Sequence, residues 1–552
     1  MTMPKRAALG CFALCLAAST GPAGGSTRSA GALAGELSVV SVEPPAHALA
    51  APVAAPIVIH FNQPVLPASV TDDSFWAFGR WSGTVQGSRT FSDSDQTVTL
   101  TLKEPLFYGE QVTVFLSHDI QAADGTPLRA GGYSYQFWTA AMPTDMTFTE
   151  LDTMTTRTTP GESTRAYGGI ASDLNDDGWA DLTIVNEDTA DLRVFLNLAD
   201  GTGGFRDFIE PPFPVNDRAS PQEPADFNHD GLVDTAVCNI NTQSVSILLG
   251  NGDGTFGPQQ EVTVGSAPRG IAVFDVDGDG DIDIVNTNWG SSNMSILFND
   301  GSGVFGSPTF FEGGGSGEWA LAAADMNDDG LLDLVIGARS SATIVVSSGN
   351  GDGTFSFASS QSAGGAVWEL AVGDLDGNGT EDVATANSSS NNGAILLGNG
   401  DGTLGPRTTY NTDPFPLAAE IGDLDGDGDL DWVTSSFSGD WWLFANHGNG
   451  TFSFTEELPA PVAASWALLV DIDNDRDLDL ALIDELADVV IVMKNSGTST
   501  LGDLDGDGDV GPFDLAFLLG SWGPCPACPA DLNGDGVVGA FDLALLLGNW
   551  GT

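Results

Sequence analysis

Lysine is almost missing from this chain. Lys5, Lys103 and Lys494 are the only three in 552 residues, and 17 Lys+Arg face 76 Asp+Glu, a formal net charge of −59. Nucleic acids and anionic membranes are held through basic patches, so this balance excludes both as partners. Charged residues of either sign are also few, at 17% against 41% hydrophobic, which is not the composition of a disordered acidic polymer. The carboxylates must therefore be gathered at particular places. Long apolar runs are lacking as well. Lys5 and Arg6 precede a run from Ala7 to Ala18 and small residues through Ser26, too short to span a bilayer. It reads as an export signal over 1–26 followed by a linker over 27–36. No later segment has the length or apolarity of a membrane span, so a secreted or cell-surface protein is expected.

Cysteine is scarce, with five in all. Cys11 and Cys15 leave with the signal, Cys238 sits alone in an expected strand as a small core residue, and Cys525 and Cys528 form a Cys-Pro-Ala-Cys turn suited to a local disulfide outside the cell. A zinc site there would need two further ligands. Of five histidines, His229 and His447 fall in turns without an evident nucleophile or base beside them. What is abundant is glycine, 70 residues, which points to many tight turns and a mainly β protein. The length suits about three to five domains.

From 37 to 141 short alternating runs, such as Ile57 to Phe61, Thr97 to Leu102 and Val112 to Leu116, are separated by turn residues, the pattern of a β-sandwich. The segments Ile57 to Val65, Pro105 to Gly109 and Asp119 to Leu128, with a closing strand at Tyr133 to Thr139, resemble the bacterial Ig-like domains of exported proteins. That resemblance implies a spacer or presenting module and no chemistry.

Between 146 and 495 the chain repeats. The pattern D-x-[DN]-x-[DN]-x-x-x-D opens at Asp173, Asp226, Asp275, Asp325, Asp374, Asp423 and Asp471, at intervals of 53, 49, 50, 49, 49 and 48. An apolar run precedes and follows each copy, and a third leads into turns such as Asn251 to Phe256 and Asn350 to Phe355. Four short strands per repeat define a propeller blade, and seven copies a seven-bladed ring. The seventh copy lacks a fourth strand; Thr147 to Thr155 has its pattern and would close the ring.

Alternating Asp and Asn around a glycine is what a Ca²⁺ ion requires, since it takes six to eight oxygens and a tight loop aims alternate side chains inward. Positions 1, 3, 5 and 9 supply the candidate ligands. They are Asp173, Asn175, Asp177 and Asp181; Asp226, Asn228, Asp230 and Asp234; Asp275, Asp277, Asp279 and Asp283; Asp325, Asn327, Asp329 and Asp333; Asp374, Asp376, Asn378 and Asp382; Asp423, Asp425, Asp427 and Asp431; and Asp471, Asp473, Asp475 and Asp479. The carbonyl of position 7 adds a further oxygen. Without a cation the carboxylates would repel one another, and Mg²⁺ prefers a stricter octahedron. Loop seven departs from the pattern with Arg476 in place of glycine. These loops and turns resemble the FG-GAP/VCBS-type repeats of integrin α-chain propellers and their bacterial relatives. The resemblance implies that each metal loop joins the first two strands of a blade on one face. On the opposite face, Tyr167, Arg269, Trp319, Trp368, Phe415 and Trp466 just before the first strands, and Trp289, Trp441 and Trp442 between second and third strands, are the candidate ligand residues. Aromatic planes there would stack on a sugar or anchor a protein.

After a linker over 496–502, residues 503–552 hold two copies 28 residues apart, each an acidic loop before a short amphipathic helix. They resemble type I dockerins, with loop positions 1, 3, 5 and 12 at Asp503, Asp505, Asp507 and Asp514, and at Asp531, Asn533, Asp535 and Asp542. Calcium-dependent folding follows from that resemblance. A cohesin partner does not, because Pro512-Phe513 and Ala540-Phe541 replace the usual Ser/Thr. Helices are expected at Leu515 to Trp522 and Leu543 to Trp550, burying Leu518, Leu519, Leu546 and Leu547 against each other. Signal, sandwich, propeller and tail account for nearly every residue, so a non-catalytic glycan- or protein-binding protein is expected, with a propeller-based polysaccharide lyase or hydrolase as the alternative.

Overall fold

The structure, a computed structural model, describes residues 36–495, 502, 504, 510–525, 530, 532 and 537–551. The fold is mainly β. Eight strands form the first unit: β1 Val39–Glu43, β2 Ile57–Phe61, β3 Phe75–Gly79, β4 Gly83–Thr84, β5 Gly87–Ser92, β6 Thr97–Leu102, β7 Gln111–Leu116 and β8 Tyr133–Trp138. They make two four-stranded sheets, β1-β2-β6-β5 and β4-β3-β7-β8. Period-2 alternation turns Ile57, Ile59, Val98, Leu100, Val112, Val114, Tyr135 and Phe137 into one shared core. Glu110, fully buried, accepts N–H bonds from Trp81 (2.9 Å), Ser82 (3.0 Å) and Phe107 (2.7 Å). It thereby fixes the β3–β4 turn, whose Arg80 and Trp81 project toward the repeats.

The repeats fold as seven four-stranded antiparallel sheets. Their first strands are Ala166–Ser172, Ala219–Ala225, Pro268–Phe274, Glu318–Ala324, Val367–Gly373, Pro416–Gly422 and Ala464–Val470. Each packs against the next, and the seventh returns to the first, a propeller-like arrangement. Side-chain amides tie sheet to sheet in the same sense. Asn299 donates to Phe227 O (2.7 Å), Asn446 to Leu375 O (2.9 Å), Asn495 to Leu424 O (2.9 Å), and Asn197 of the first sheet to Ile472 O of the seventh (2.8 Å). The glycine turns have a related use: Gly254, Gly353, Gly402 and Gly450 donate their N–H groups to the carbonyl at position 2 of the preceding sheet's acidic loop. The last sheet is completed by β9, Phe148–Thr155, which pairs antiparallel with Val489–Asn495.

The Ig-like unit is not a detached spacer. It sits on the acidic-loop face, because the loops leave carbonyls pointing outward and the sandwich supplies donors to meet them. Trp76 Nε1 donates to Gly280 O (3.1 Å), Ser117 Oγ to Asp279 O (2.9 Å), and the N–H groups of His118 and Ser134 to Gly278 O (2.7 Å) and Gly330 O (2.9 Å). Downstream of β8, Met142 N donates to Arg476 O (2.9 Å) and Thr144 N to Asp425 O (2.8 Å). His47, buried, bridges Asp328 (3.1 Å) and Glu381 (2.7 Å) of adjacent loops. Burial alone would lower its pKa, but these carboxylates raise it to about 11, so the bridge is an ion pair at neutral pH.

In the tail the helices are α1 Pro512–Gly520 and α2 Ala540–Gly548, starting three residues earlier than the apolar pattern predicts. Asp514 and Asp542 are the reason. Each lies at the third helical position, and its carboxylate accepts the N–H of Gly511 (2.5 Å) or Gly539 (2.7 Å), which starts the helix ahead of the leucines. Leu518 and Leu546 are fully buried between the helices, but Leu519 and Leu547 are each 51% exposed, contrary to expectation. One residue further along a helix turns a side chain by 100°, off the narrow face that so short a helix can bury. Cys525 is disulfide-bonded. Its expected partner Cys528 lies outside the described residues, as do Asp503, Asp505, Asp507, Asp531, Asn533, Asp535, the signal segment, the 27–35 part of the first linker and the 496–501 part of the second.

Candidate metal centres and ligand face

Each acidic loop joins the first strand of a sheet to its second, and its internal bonds follow one plan. The position-1 carboxylate accepts N–H groups at the loop apex: Asp173 from Asp177 (3.1 Å) and Gly178 (2.8 Å), Asp325 from Asp329 (3.1 Å) and Gly330 (2.6 Å), Asp374 from Asn378 (3.1 Å) and Gly379 (2.7 Å). Position 9 opens the second strand and ties the loop to the end of the third. Asp283 takes Val276 N (3.1 Å) and Asn299 N (2.9 Å), and Asp431 takes Leu424 N (2.9 Å) and Asn446 N (2.9 Å). Asp181, Asp234, Asp333, Asp382 and Asp479 are held alike and fully or almost fully buried. The position-9 Asp is thus as much a fold staple as a ligand, which spacing alone does not reveal.

Four loops bring carboxylates into one place. Ligand oxygens of Asp275, Asp277 and Asp279, of Asp374, Asp376 and Asp382, of Asp423, Asp425 and Asp431, and of Asp471, Asp473 and Asp479 lie within 4.8 Å of one another. The loops opening at Asp173, Asp226 and Asp325 have Asn at position 3, whereas the Asp374 loop, which also has three carboxylates, keeps Asp there and has its Asn at position 5. Burial, followed by like-charge neighbours, raises Asp275 and Asp423 to about 8, and burial against the pull of backbone N–H groups does the same for Asp181, Asp234, Asp333 and Asp382. Oδ1 of Asn175, Asp277, Asp423 and Asp473 is buried without a hydrogen-bond donor. An all-oxygen set with converging charge and unsatisfied acceptors fits a hard cation.

Loop seven, already set apart in sequence by Arg476, differs in its charge as well. Arg476 stands at φ 84°, where the other loops have glycine, and its N–H still reaches Asp471 (2.9 Å). The Lys494 ammonium, from the neighbouring third strand, pairs with Asp473 and with Asp475 (2.9 Å). This loop carries its own cation, which competes with any metal. Lys494→Met should therefore add one tightly held ion per chain, counted by elemental analysis after gel filtration. An unchanged count would mean that Lys494 does not compete.

On the far face the candidate ligand residues come together through a backbone irregularity. The first strand of every sheet has a register shift near its start, and the residue skipped is Tyr167 in the first, Arg269 with Gly270 in the third, Trp319 in the fourth and Trp368 in the fifth. Bulges re-aim side chains, and these four meet across the ring. Trp368 Nε1 donates to Tyr167 OH (2.7 Å), Trp319 and Trp368 have centroids 4.5 Å apart, and Arg269 lies 4.2 Å over Trp319. Trp289 packs edge-on to Trp319 at 5.4 Å and Phe415 against Trp368 at 5.5 Å. Tyr167 and Trp319 are buried by this packing, leaving Trp289, 39% exposed, as the open indole. Trp466 is apart: the seventh bulge skips Ser465 instead, so Trp466 lines an axial cavity. Trp441 and Trp442 lie within a third strand, Trp441–Ala445, because the preceding turn is short; Trp441 is fully buried and its Nε1 donates to Trp466 O (2.9 Å).

That cavity, about 230 Å³, lies between the Ig-like unit and the first strands. Arg80 enters it and pairs with Glu223 at 3.2 Å, while Glu369 and Glu420 line it too. Burial raises all three glutamates, Glu420 to about 8. Sequence reasoning passed over this group, although one glutamate in the middle of an otherwise uncharged strand, as in Pro416–Gly422, is a usable signal.

Comparison with known proteins agrees with this architecture. FG-GAP-like repeats match residues 173–237, 226–286, 275–336, 325–385, 374–434 and 423–482, and a bacterial Ig-like domain matches 34–139. The repeat matches run unbroken over more than half of the chain, so the protein belongs to the FG-GAP-like repeat family. Similar solved structures include an Agrocybe aegerita lectin that recognises non-reducing terminal N-acetylglucosamine (19% identity, 59% of this chain, 87% of that one, TM-score 0.39). Others are BBS1N in complex with ARL6DN (13%, 64%, 98%, 0.45) and a catalytically inactive virginiamycin B lyase from Staphylococcus aureus with quinupristin (13%, 63%, 99%, 0.43). No curated protein matches the chain.

Proposed function

We propose that this is an exported, calcium-stabilised, non-catalytic binding protein whose seven sheets close as a seven-bladed propeller and whose loop-free face receives a glycan or protein ligand at the cell surface. One observation carries the reading: the Ig-like unit covers the acidic-loop face, while bulges on four sheets turn an aromatic and cationic group onto the opposite one. Ca²⁺ in the loops fixes the blade corners. The tail, dockerin-like in pattern, would fasten the protein to a cohesin-like or other exported partner through Phe513 and Phe541, which are 74% and 76% exposed.

The alternative, a polysaccharide lyase or hydrolase, needs a free acid and base on the open face. Of the carboxylates near the aromatic group, Glu187 and Glu485 are buried and bound to arginines, and Glu318, beside Trp319, is buried as well, so no open acid and base pair stands there among the described residues, which favours binding over catalysis. A glycan array probed with the calcium-loaded protein tests the proposal. Binding should be selective and should weaken about tenfold or more with Trp289→Ala, as expected for loss of an exposed aromatic anchor worth roughly 1–3 kcal/mol. Degradation of a bound polysaccharide, or binding unchanged by Trp289→Ala, would reject it.

A further inference from the structure

In a chain of net charge −59, four arginines collect on the face opposite the acidic loops. Arg165 and Arg218 directly precede the first strands of the first and second sheets, Arg269 sits in the bulge of the third, and Arg339 follows the second strand of the fourth. Four successive sheets thus contribute one guanidinium each. Their counter-charges are few. Glu187, its side chain 2% exposed, receives Arg165 (3.2 Å), Arg218 (3.3 Å) and distantly Arg269 (4.0 Å), and Glu485 receives Arg165 (2.5 Å).

Arg339 has no ion-pair partner among the described residues; its guanidinium lies 4.4 Å from the ring centre of Trp319 and 4.6 Å from that of Trp368. Nε of Arg269 is buried without a hydrogen-bond acceptor, while that of Arg218 faces Glu187. Burial above all, with Arg218 and Arg339 adding to it against the pull of Tyr167 and Glu187, holds the Arg269 guanidinium below its ordinary range. Four guanidinium groups thus face two paired carboxylates, and Arg269 keeps an unused donor, in a chain whose net charge is −59. Guanidinium groups held against aromatic faces are pre-organised to grip planar or tetrahedral oxyanions.

We infer that this face takes an anionic polysaccharide, with a carboxylate or sulfate group received by Arg339, Arg269 and Arg218 and the adjoining sugar ring laid on Trp289. The inference rests on the proposed ligand face and names its substrate class. A sugar is favoured over an acidic peptide because the exposed indole of Trp289 packs on Trp319, the ring that Arg269 and Arg339 overlie, and offers a plane for a pyranose. The surrounding negative field repels polyanions elsewhere and confines them to this centre, so affinity should fall steeply with salt.

The test measures binding of the full chain, calcium-loaded, to polygalacturonate, dextran sulfate, neutral dextran and poly-glutamate at low and high salt. Either or both anionic polysaccharides should bind at low salt, neutral dextran at least tenfold more weakly. Arg339→Met should reduce that binding at least tenfold and Arg339→Lys less, at an unchanged melting temperature, since Arg339 is half-buried and unpaired. Equal binding of neutral dextran, lost in Trp289→Ala but not in Arg339→Met, would overturn the anionic assignment while leaving the ligand face standing. Poly-glutamate binding as tightly as the polysaccharides would overturn the assignment to a sugar. No binding by any of the four would overturn the anionic assignment; a neutral glycan found on the array would still uphold the face.

Discussion

Chelation of divalent cations should lower the melting temperature of this protein by about 15 °C, since three sites filled at a hundred times their Kd contribute on the order of 8 kcal/mol and each kcal/mol moves the midpoint by roughly 2 °C. The three groups with converging carboxylates outside loop seven, which Lys494 already neutralises, are enough for this effect. The response to pH should also invert. In the metal-free protein Asp181, Asp234, Asp333 and Asp382 have folded pKa values raised to about 8 by burial, against about 3.9 in the unfolded chain. Between these values the folded state holds more protons than the unfolded one, so stability falls as pH rises through 8 and returns on acidification toward 5. With Ca²⁺ present the sign reverses, because the ion requires the ionised carboxylates and protons displace it. Melts at pH 5.5 and 8, with calcium and with chelator, check both parts. Parallel curves in the two conditions would mean that the loops hold no ion.

The same loss should loosen the Ig-like unit. Its donors are met by carbonyls of the loops themselves, Gly278, Asp279, Gly280 and Gly330 among them. Their positions depend on a loop conformation that an ion would hold. Chelation is therefore expected to expose the 140–147 segment to protease before the sheets unfold.

Much of this architecture was legible because repetition removes ambiguity. Seven acidic loops at nearly constant spacing fix where each first strand ends, and alternation fixes the sandwich strands. The docking of the sandwich was not legible, since it uses mostly backbone carbonyls of the loops, which any residue supplies. Nor was the part played by Lys494, whose ammonium reaches loop seven from a neighbouring strand 21 residues away. Of the residues expected on the far face, Tyr167, Arg269, Trp289, Trp319, Trp368 and Phe415 come together, whereas Trp466, Trp441 and Trp442 stand elsewhere. A bulge decides whether Trp319 and Trp368 face the ring centre; in the seventh sheet Ser465 holds the bulged position, and the tryptophan one residue later, Trp466, lines the cavity instead. Tail leucines were misassigned because a nine-residue helix buries a narrower stripe than its composition suggests.

Replacing Phe148–Thr155 by a Gly/Ser segment of equal length should turn a monomer into an aggregating species. This strand carries the fourth position of the seventh sheet, with a register running from Val489 opposite Thr155 to Asn495 opposite Phe148. It also buries Phe148 and Met154 in the largest core cluster, a contribution of about 1.5–3 kcal/mol each. Without it the outer edge of Val489–Asn495 presents unpaired N–H and C=O groups along the run Val-Val-Ile-Val-Met. An exposed edge of β-branched, uncharged residues is a template for another chain. Keeping the length matters, because a simple deletion would also pull the Ig-like unit off the loops and confuse the two causes. Light scattering and gel filtration of the variant give the first reading. Adding a peptide of residues 147–156 in trans gives the second: it should restore the monomer by pairing with the free edge. A variant that stays monomeric and melts with the wild type would show that the seventh sheet closes without β9, and a variant that aggregates regardless of the peptide would place the damage elsewhere than the edge.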